Sequence, residues 1–246
     1  MVDPLSLIIT GAAGTGKSRI IHAACDFLSR RNQLYRIPLL SYTGIAAQNI
    51  NGVTLHSALS LSTSAQKKMS TKTRQDLIKM WTNVDFLFID EYSMVGCHML
   101  YRIHRALVAA KESSKPFGGV NIIFAGDFAQ LPAVGETRLY AKLAEQHTSR
   151  KRNTTKLSSH LENIYGKLLW LSVRNVIRLQ TVERQQGADA DKLISLLARL
   201  REGRCTDSDY DLLSERVASK VFLTENVDNW RCTPMIVCEN HQENGR

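Results

Sequence analysis

Apolar residues follow two rhythms along this chain. Short, nearly unbroken apolar runs at 5–10, 36–42, 84–90 and 120–126 have the composition of parallel strands covered on both faces. Between and after them, apolar positions recur at the three-to-four-residue spacing of one helix face, at 18–31, 73–82, 93–112 and 157–171. Met94, Met99, Leu100, Ile103 and Leu107 follow that spacing and read as core. Strand and helix therefore alternate, which predicts a doubly wound α/β sheet. From Asn175 the pattern restarts, with a strand at 176–180, helices at 189–202 and 207–219, and a last strand at 235–238. The expected organisation is one domain over 1–173 and the opening of a second, incomplete one over 174–246, without internal repeats or a low-complexity linker.

The ends of the apolar runs carry the chemistry. After the first run, residues 11–18 read G-A-A-G-T-G-K-S and lead directly into a helical stretch. This strand–loop–helix order is that of a phosphate-binding P-loop, in which glycines let successive N–H groups turn inward at the start of a helix. Gly11, Gly14 and Gly16 supply the freedom, with Thr15 between them. Lys17 would reach the β- and γ-phosphates, and the Ser18 hydroxyl would hold Mg²⁺. The third run ends in Asp90 and Glu91, adjacent carboxylates that point different ways on an extended strand. Asp90 is assigned to the metal and Glu91 to the attacking water as general base; alone, such a pair would be a solvated strand end. The fourth run leads into G-D-F-A-Q-L-P at 126–132, where Gln130 can sense a γ-phosphate through its amide and Pro132 stiffens the turn. The plainer alternative is a tight turn with a polar tip. Together these motifs predict a P-loop NTPase that takes a nucleoside triphosphate with Mg²⁺, its site at the carboxyl ends of the strands.

Four blocks carry a family resemblance: the P-loop, T-G-I-A-A-Q-N-I-N-G-V-T-L-H-S-A-L from Thr43, F-I-D-E-Y-S-M-V from Phe88, and G-D-F-A-Q-L-P-A-V from Gly126. In order and spacing they resemble superfamily 1 DNA helicases, most closely the petite-integration-frequency (PIF-type, RecD-related) helicases. A fifth block, L-Q-T-V-E-R-Q-Q from Leu179, and the helical stretch after it are similar in wording to the PIF-type helicases of Helitron-like mobile elements. The likeness covers nearly the whole chain and weakens between about Thr137 and Glu162. It implies a RecA-like fold, ATP-powered unwinding of DNA in the 5′-to-3′ direction, and DNA as partner. It matches Lys17, Ser18, Asp90, Glu91 and Gln130 to nucleotide positions. It also matches Arg184 to an arginine that approaches the γ-phosphate from the second RecA-like domain, a role suited to a planar guanidinium; otherwise Arg184 is a surface cation beside Glu183. Thr43, Gly44, Thr54 and His56 fall in the DNA-contacting segment, where such groups suit phosphates and sugars. Read without the family, Thr54 and His56 cap and pack a local turn. Tyr92 and Ser93 match a segment that links nucleotide state to the DNA groove in relatives. Members of the family act in replication, repair, recombination and telomere upkeep.

Composition agrees with an enzyme core. At 246 residues and 43% hydrophobic, the chain can bury a large core, and neither a membrane-length apolar stretch nor a secretory leader is seen. Five cysteines, Cys25, Cys97, Cys205, Cys232 and Cys238, form an odd set without a metal-binding spacing. They read as reduced thiols in a nuclear protein, with the cytoplasm or mitochondrion as alternatives and secretion excluded. A net charge of +9 fits a polyanion partner. Lys142, Arg150, Lys151, Arg152 and Lys156 lie in one polar stretch that reads as a solvated loop or a DNA contact.

The chain also departs from the family. A glutamine-containing adenine segment ahead of the P-loop and the fifth and sixth motifs are not found, so the expectation is a chain that binds MgATP weakly, hydrolyses it poorly and does not unwind alone. The alternatives are a degenerate nucleotide- or DNA-binding remnant, or another P-loop enzyme such as a small kinase.

Overall fold

The computed structural model describes residues 3–61, 70–142, 154–185, 190–215 and 217. The chain divides into two compact units, Met1–Gln186 and Gly187–Arg246. The expected strand at 235–238 and the cations Arg150, Lys151 and Arg152 lie outside the described residues.

In the first unit, strands β1 (Ser6–Gly11), β2 (Leu39–Ser41), β3 (Val53–Thr54), β4 (Phe86–Asp90), β5 (Asn121–Gly126) and β6 (Asn175–Leu179) form one sheet in the order β3-β2-β4-β5-β1-β6. Every pairing is parallel. The period-two alternation of a strand is visible in where neighbouring residues go. Ile8, Leu87, Ile89, Ile122 and Phe124 enter one core, while Ile9, Phe88 and Ala125 enter the other. The first core is covered by helices α4 (Thr71–Trp81), α5 (Cys97–Lys111) and α6 (Thr154–Leu171), through Leu77, Trp81, Ile103, Leu107 and Trp170. The second is covered by α1 (Lys17–Ser29), through the buried Ile21. Over the central strands β1, β4 and β5 both faces are thus covered, which is why those strands read as continuous apolar runs.

Short elements shape the carboxyl edge. Helices α2 (Gly44–Asn49) and α3 (Leu55–Ala58) flank β3 and end the family block that begins at Thr43. The helix expected over 93–112 is broken. Glu91 adopts φ 53° and ψ 48°, a 3-10 turn covers Tyr92–Met94, and α5 starts only at Cys97. A left-handed residue cannot continue a right-handed helix, so the chain turns before it winds.

One expectation is corrected. The strand at 176–180, read as the start of a second domain, is the outer strand of the first sheet, with Leu7 level with Asn175 and Gly11 level with Leu179. Its reason is the open edge of β1, whose N–H and C=O groups need a partner. The first unit therefore runs to Gln186, past the expected boundary at 173.

In the second unit, α7 (Ala190–Arg201) and α8 (Asp207–Ser214) are described. Thr206 and Asp209 form a capping box at the start of α8, and the Arg199 guanidinium forks onto the buried Asp209 carboxylate.

Candidate nucleotide site

The loop after β1 is held open by conformation. Gly14 has φ 81° and Gly16 φ 90°, values that L side chains rarely take, and Gly16 serves as N-cap of α1 without a side-chain cap. The first amides of α1 are left for an anion. Lys17, the first residue of that helix, folds its ammonium back over the loop and donates to Gly11 O at 2.8 Å and Ala12 O at 3.0 Å. Thr15 Oγ1 donates to Ala12 O at 2.9 Å and braces the same turn. Ser18 follows, exposed at the mouth of the helix start.

Three carboxylates converge on this ammonium. Asp90 ends β4 and is buried; Glu91 follows it on the left-handed backbone; Asp127, just past β5, is buried as well. Burial lowers the Lys17 pKa, against the pull of Asp127, Glu91 and Asp90, while the Arg184 charge pushes it lower still. Burial raises the Asp90 pKa. It raises that of Glu91 too, with Asp90 and Asp127 adding like charge. Crowded acids of this kind call for a cation. Among the described residues no group of three or more His, Cys, Asp or Glu side chains could hold a metal by itself. A cation here would take phosphate oxygens alongside protein oxygens, the habit of Mg²⁺, and the hard-oxygen set of Ser18 and Asp90 fits that. Gln130 lies half-buried on the turn after β5, its backbone N–H donating to Asp127 O at 3.0 Å.

Asp127 was not singled out by sequence reasoning, because an Asp after a strand reads as a turn former. It is one: its Oδ1 accepts from Ala129 N at 3.1 Å. Its burial and its field on Lys17 and Glu91 give it a second role that only the register of β5 beside β4 reveals.

Tyr92 ties the acids to the loop strand. Its hydroxyl hydrogen-bonds Thr10 Oγ1 at 3.1 Å, and its ring packs edge-on against Phe128 and tilted on Trp170. Gly126 permits this approach, since a Cβ there would stand 2.9 Å from Tyr92 N. The neighbouring Ser93 hydroxyl is buried without a partner among the described residues.

Arg184 arrives from the other side. Glu183 N and Arg184 N both donate to Gly14 O, at 2.8 and 3.2 Å, so the segment after β6 is laid against the phosphate loop. The arginine expected to reach the site from a second domain belongs to the first unit. The correction follows from that of β6, which carries it there.

The DNA candidates occupy the same carboxyl edge, beyond β2 and β3. Register sets Ser41 level with both Asp90 and Thr54. Thr43 Oγ1 accepts from Ala46 N at 3.2 Å and Thr54 Oγ1 from Ser57 N at 3.3 Å, so both threonines cap short helices. His56 packs edge-on against Tyr42 at 5.9 Å, and Gly44 is exposed. Each capping hydroxyl accepts and keeps its own proton to donate.

Comparison with known proteins adds context to this geometry. The profile of the family described as PIF1-like helicase matches residues 3–211. The ATP-dependent DNA helicase PIF1 of Saccharomyces cerevisiae (strain YJM789) is 30% identical over 207 residues, 82% of this chain and 22% of that protein. The Homo sapiens ATP-dependent DNA helicase PIF1 is 30% identical over 232 residues, 93% of this chain and 32% of that protein. Among solved structures, Bacteroides Pif1 bound to ssDNA superposes with a TM-score of 0.62 at 26% identity, covering 86% of this chain and 46% of that one. The Pif1 helicase of Candida albicans gives 0.62 at 28% identity, covering 83% and 42%. The chain therefore spans less than half the length of each of these relatives.

Proposed function

We propose a function from one premise: the chain belongs to the PIF1-like helicase family. It is the ATP-hydrolysing core of a DNA helicase, and the observation that carries this reading is the convergence of Lys17, Asp90, Glu91, Asp127 and Arg184 on one phosphate loop. A bound Mg²⁺–ATP supplies the phosphoryl group and the metal charge that offsets its oxygens. The loop amides and Lys17 hold the β- and γ-phosphates. Ser18 and Asp90 would hold the metal from the protein side. Glu91 orients and deprotonates the water, favoured by a pKa raised toward neutrality. Gln130 reads the terminal phosphate, and Arg184 stabilises charge on the departing group. DNA is the partner, gripped without base readout along Thr43, Gly44, Thr54 and His56, and the protein's motion along it is 5′-to-3′. The DNA helicases among the relatives and the Bacteroides Pif1 complex with ssDNA support DNA as the track.

ATPase assays with and without single-stranded DNA test the proposal. Turnover should rise with DNA, and Lys17→Ala should lower it about 10²–10³-fold, the loss typical of one removed charge-stabilising donor. Glu91→Gln should abolish turnover while ATP still binds. Turnover that ignores DNA and needs a small acceptor would point to a kinase.

A further inference from the structure

Gln185 follows β6 and lies against Gly14 of the phosphate loop. A Cβ on Gly14 would meet its Oε1 at 3.1 Å and the Arg184 Cβ at 2.7 Å, so this residue sits directly against the turn. The Glu183 and Arg184 N–H groups, both bonded to Gly14 O, fix it there. Yet the Gln185 Oε1 is buried and accepts no hydrogen bond among the described residues. A buried amide oxygen without a donor is unfavourable, and native folds rarely keep one for nothing.

Sheet order indicates what the donor is. β4 and β5, which deliver Asp90, Glu91 and Asp127, lie on one side of β1, and β6 lies on the other. A triphosphate whose last phosphate faces those acids leaves the loop toward β6, so its nucleoside end passes the segment that holds Gln185. Phosphate oxygens only accept and cannot satisfy a carbonyl oxygen. Ribose hydroxyls and an exocyclic base amine both donate.

We propose that Gln185 is a nucleoside-recognition residue, its Oε1 accepting a hydrogen bond from a ribose hydroxyl or the exocyclic amine of the bound nucleotide. The proposal rests on the ATPase reading and deepens it: the phosphate loop gives affinity for any polyphosphate, and Gln185 makes the site prefer a nucleotide carrying the right donor.

Binding of ATP, 2′-deoxyATP, 3′-deoxyATP, purine riboside triphosphate and inorganic tripolyphosphate to the full chain and to Gln185→Ala tests it. Thermal melts confirm that the variant is folded. The unchanged chain should bind one of the three analogues about tenfold more weakly than ATP, the effect of one lost hydrogen bond, and that analogue identifies the donor. Gln185→Ala should bind ATP about tenfold more weakly and lose that discrimination, with tripolyphosphate binding unmoved. A variant that loses tripolyphosphate and ATP equally would reduce Gln185 to a prop for the loop and overturn the proposal. So would ATP binding indifferent to all three analogues, which leaves the ATPase reading standing. Failure of the unchanged chain to bind either ATP or tripolyphosphate would remove the ATPase reading and this proposal with it.

Discussion

Glu91 holds an acid where the chain least welcomes one: a left-handed backbone position, half-buried, with Asp90 and Asp127 adding negative field. The sign of its linkage follows. A carboxyl whose folded pKa is raised binds more protons folded than unfolded between the ordinary value of 4.5 and the raised one, so the fold loses stability as pH rises through that window. At neutral pH the charged acids therefore oppose folding and serve catalysis. Asp90→Asn removes one such buried charge and relieves its neighbour. The expected outcome is a variant about 0.5–2 kcal/mol more stable at pH 7, the usual gain when a functional strain is removed, and almost inactive. Melts at pH 7 read the first effect and ATPase assays the second; an unchanged or lower melting temperature would contradict it. Asp127→Asn separates field from ligation. By taking away one contribution that raises the Glu91 pKa, it should move the acid limb of the ATPase pH profile to lower pH. Lys17 has the opposite sense: its pKa is lowered by burial, so its charge is held at a disadvantage that a phosphate in the loop would offset.

Two helices form the wall behind the acids, and their packing is close enough to test. On α6, a Cβ at Gly166 would overlap the Cys97 carbonyl at the start of α5, so Gly166→Ala should destabilise the first unit by about 1–3 kcal/mol, read by urea unfolding. A strap joins the same elements. His98 on α5 reaches Glu162 of α6, Nε2 to Oε2 at 2.8 Å, and Glu136 after the Gln130 turn, while Glu136 Oε2 also accepts from Met99 N at 3.0 Å. Hydrogen bonding to Glu136 leads the effects that raise the His98 pKa above 6.5. A raised histidine stabilises the fold fully below its unfolded pKa and loses that contribution as pH rises through the folded one. His98→Gln should thus melt lower than the unchanged chain near pH 6 and approach it as pH rises through the raised folded pKa, and curves that stay parallel over the whole titration would rule the strap out. At this scale the limits of sequence reading are physical. The runs that became β1, β4 and β5 were legible because strands buried on both faces admit little but apolar residues. β3 has two residues and no period to detect. Glu91 hides its left-handed turn because nothing in an Asp-Glu pair announces a positive φ. β6 was recognised as a strand but assigned to the wrong sheet, since an exposed five-residue strand does not encode which edge it will join. Arg184 was misplaced with it. The phosphate loop needed no such knowledge, because its strand, loop and helix are contiguous in sequence.

The whole molecule carries a charge of +9, and this excess makes a prediction that single residues cannot. If the positive charge meets a DNA backbone, binding releases condensed counterions, and the logarithm of affinity falls linearly with the logarithm of salt by about 0.7 per phosphate neutralised on a single strand. A footprint of about four phosphates then loses roughly fiftyfold in affinity between 50 and 200 mM salt. Fluorescence anisotropy with a labelled single strand measures that slope, and a flat line would remove DNA as the charge's partner. The proposed grip at Thr43 and Thr54 predicts something different, because neutral hydroxyls displace no counterions. Thr54→Ala also removes a helix cap, so its intercept mixes a lost DNA contact with a local loss of order of about 0.5–2 kcal/mol. The slope does not mix them. Lower affinity at every salt concentration with an unaltered slope would place Thr54 among the neutral contacts. A slope reduced by about one phosphate's worth would mean that loosening α3 withdraws a cation from the track. Affinity unaltered at every salt concentration would leave Thr54 as the cap that the structure already makes of it.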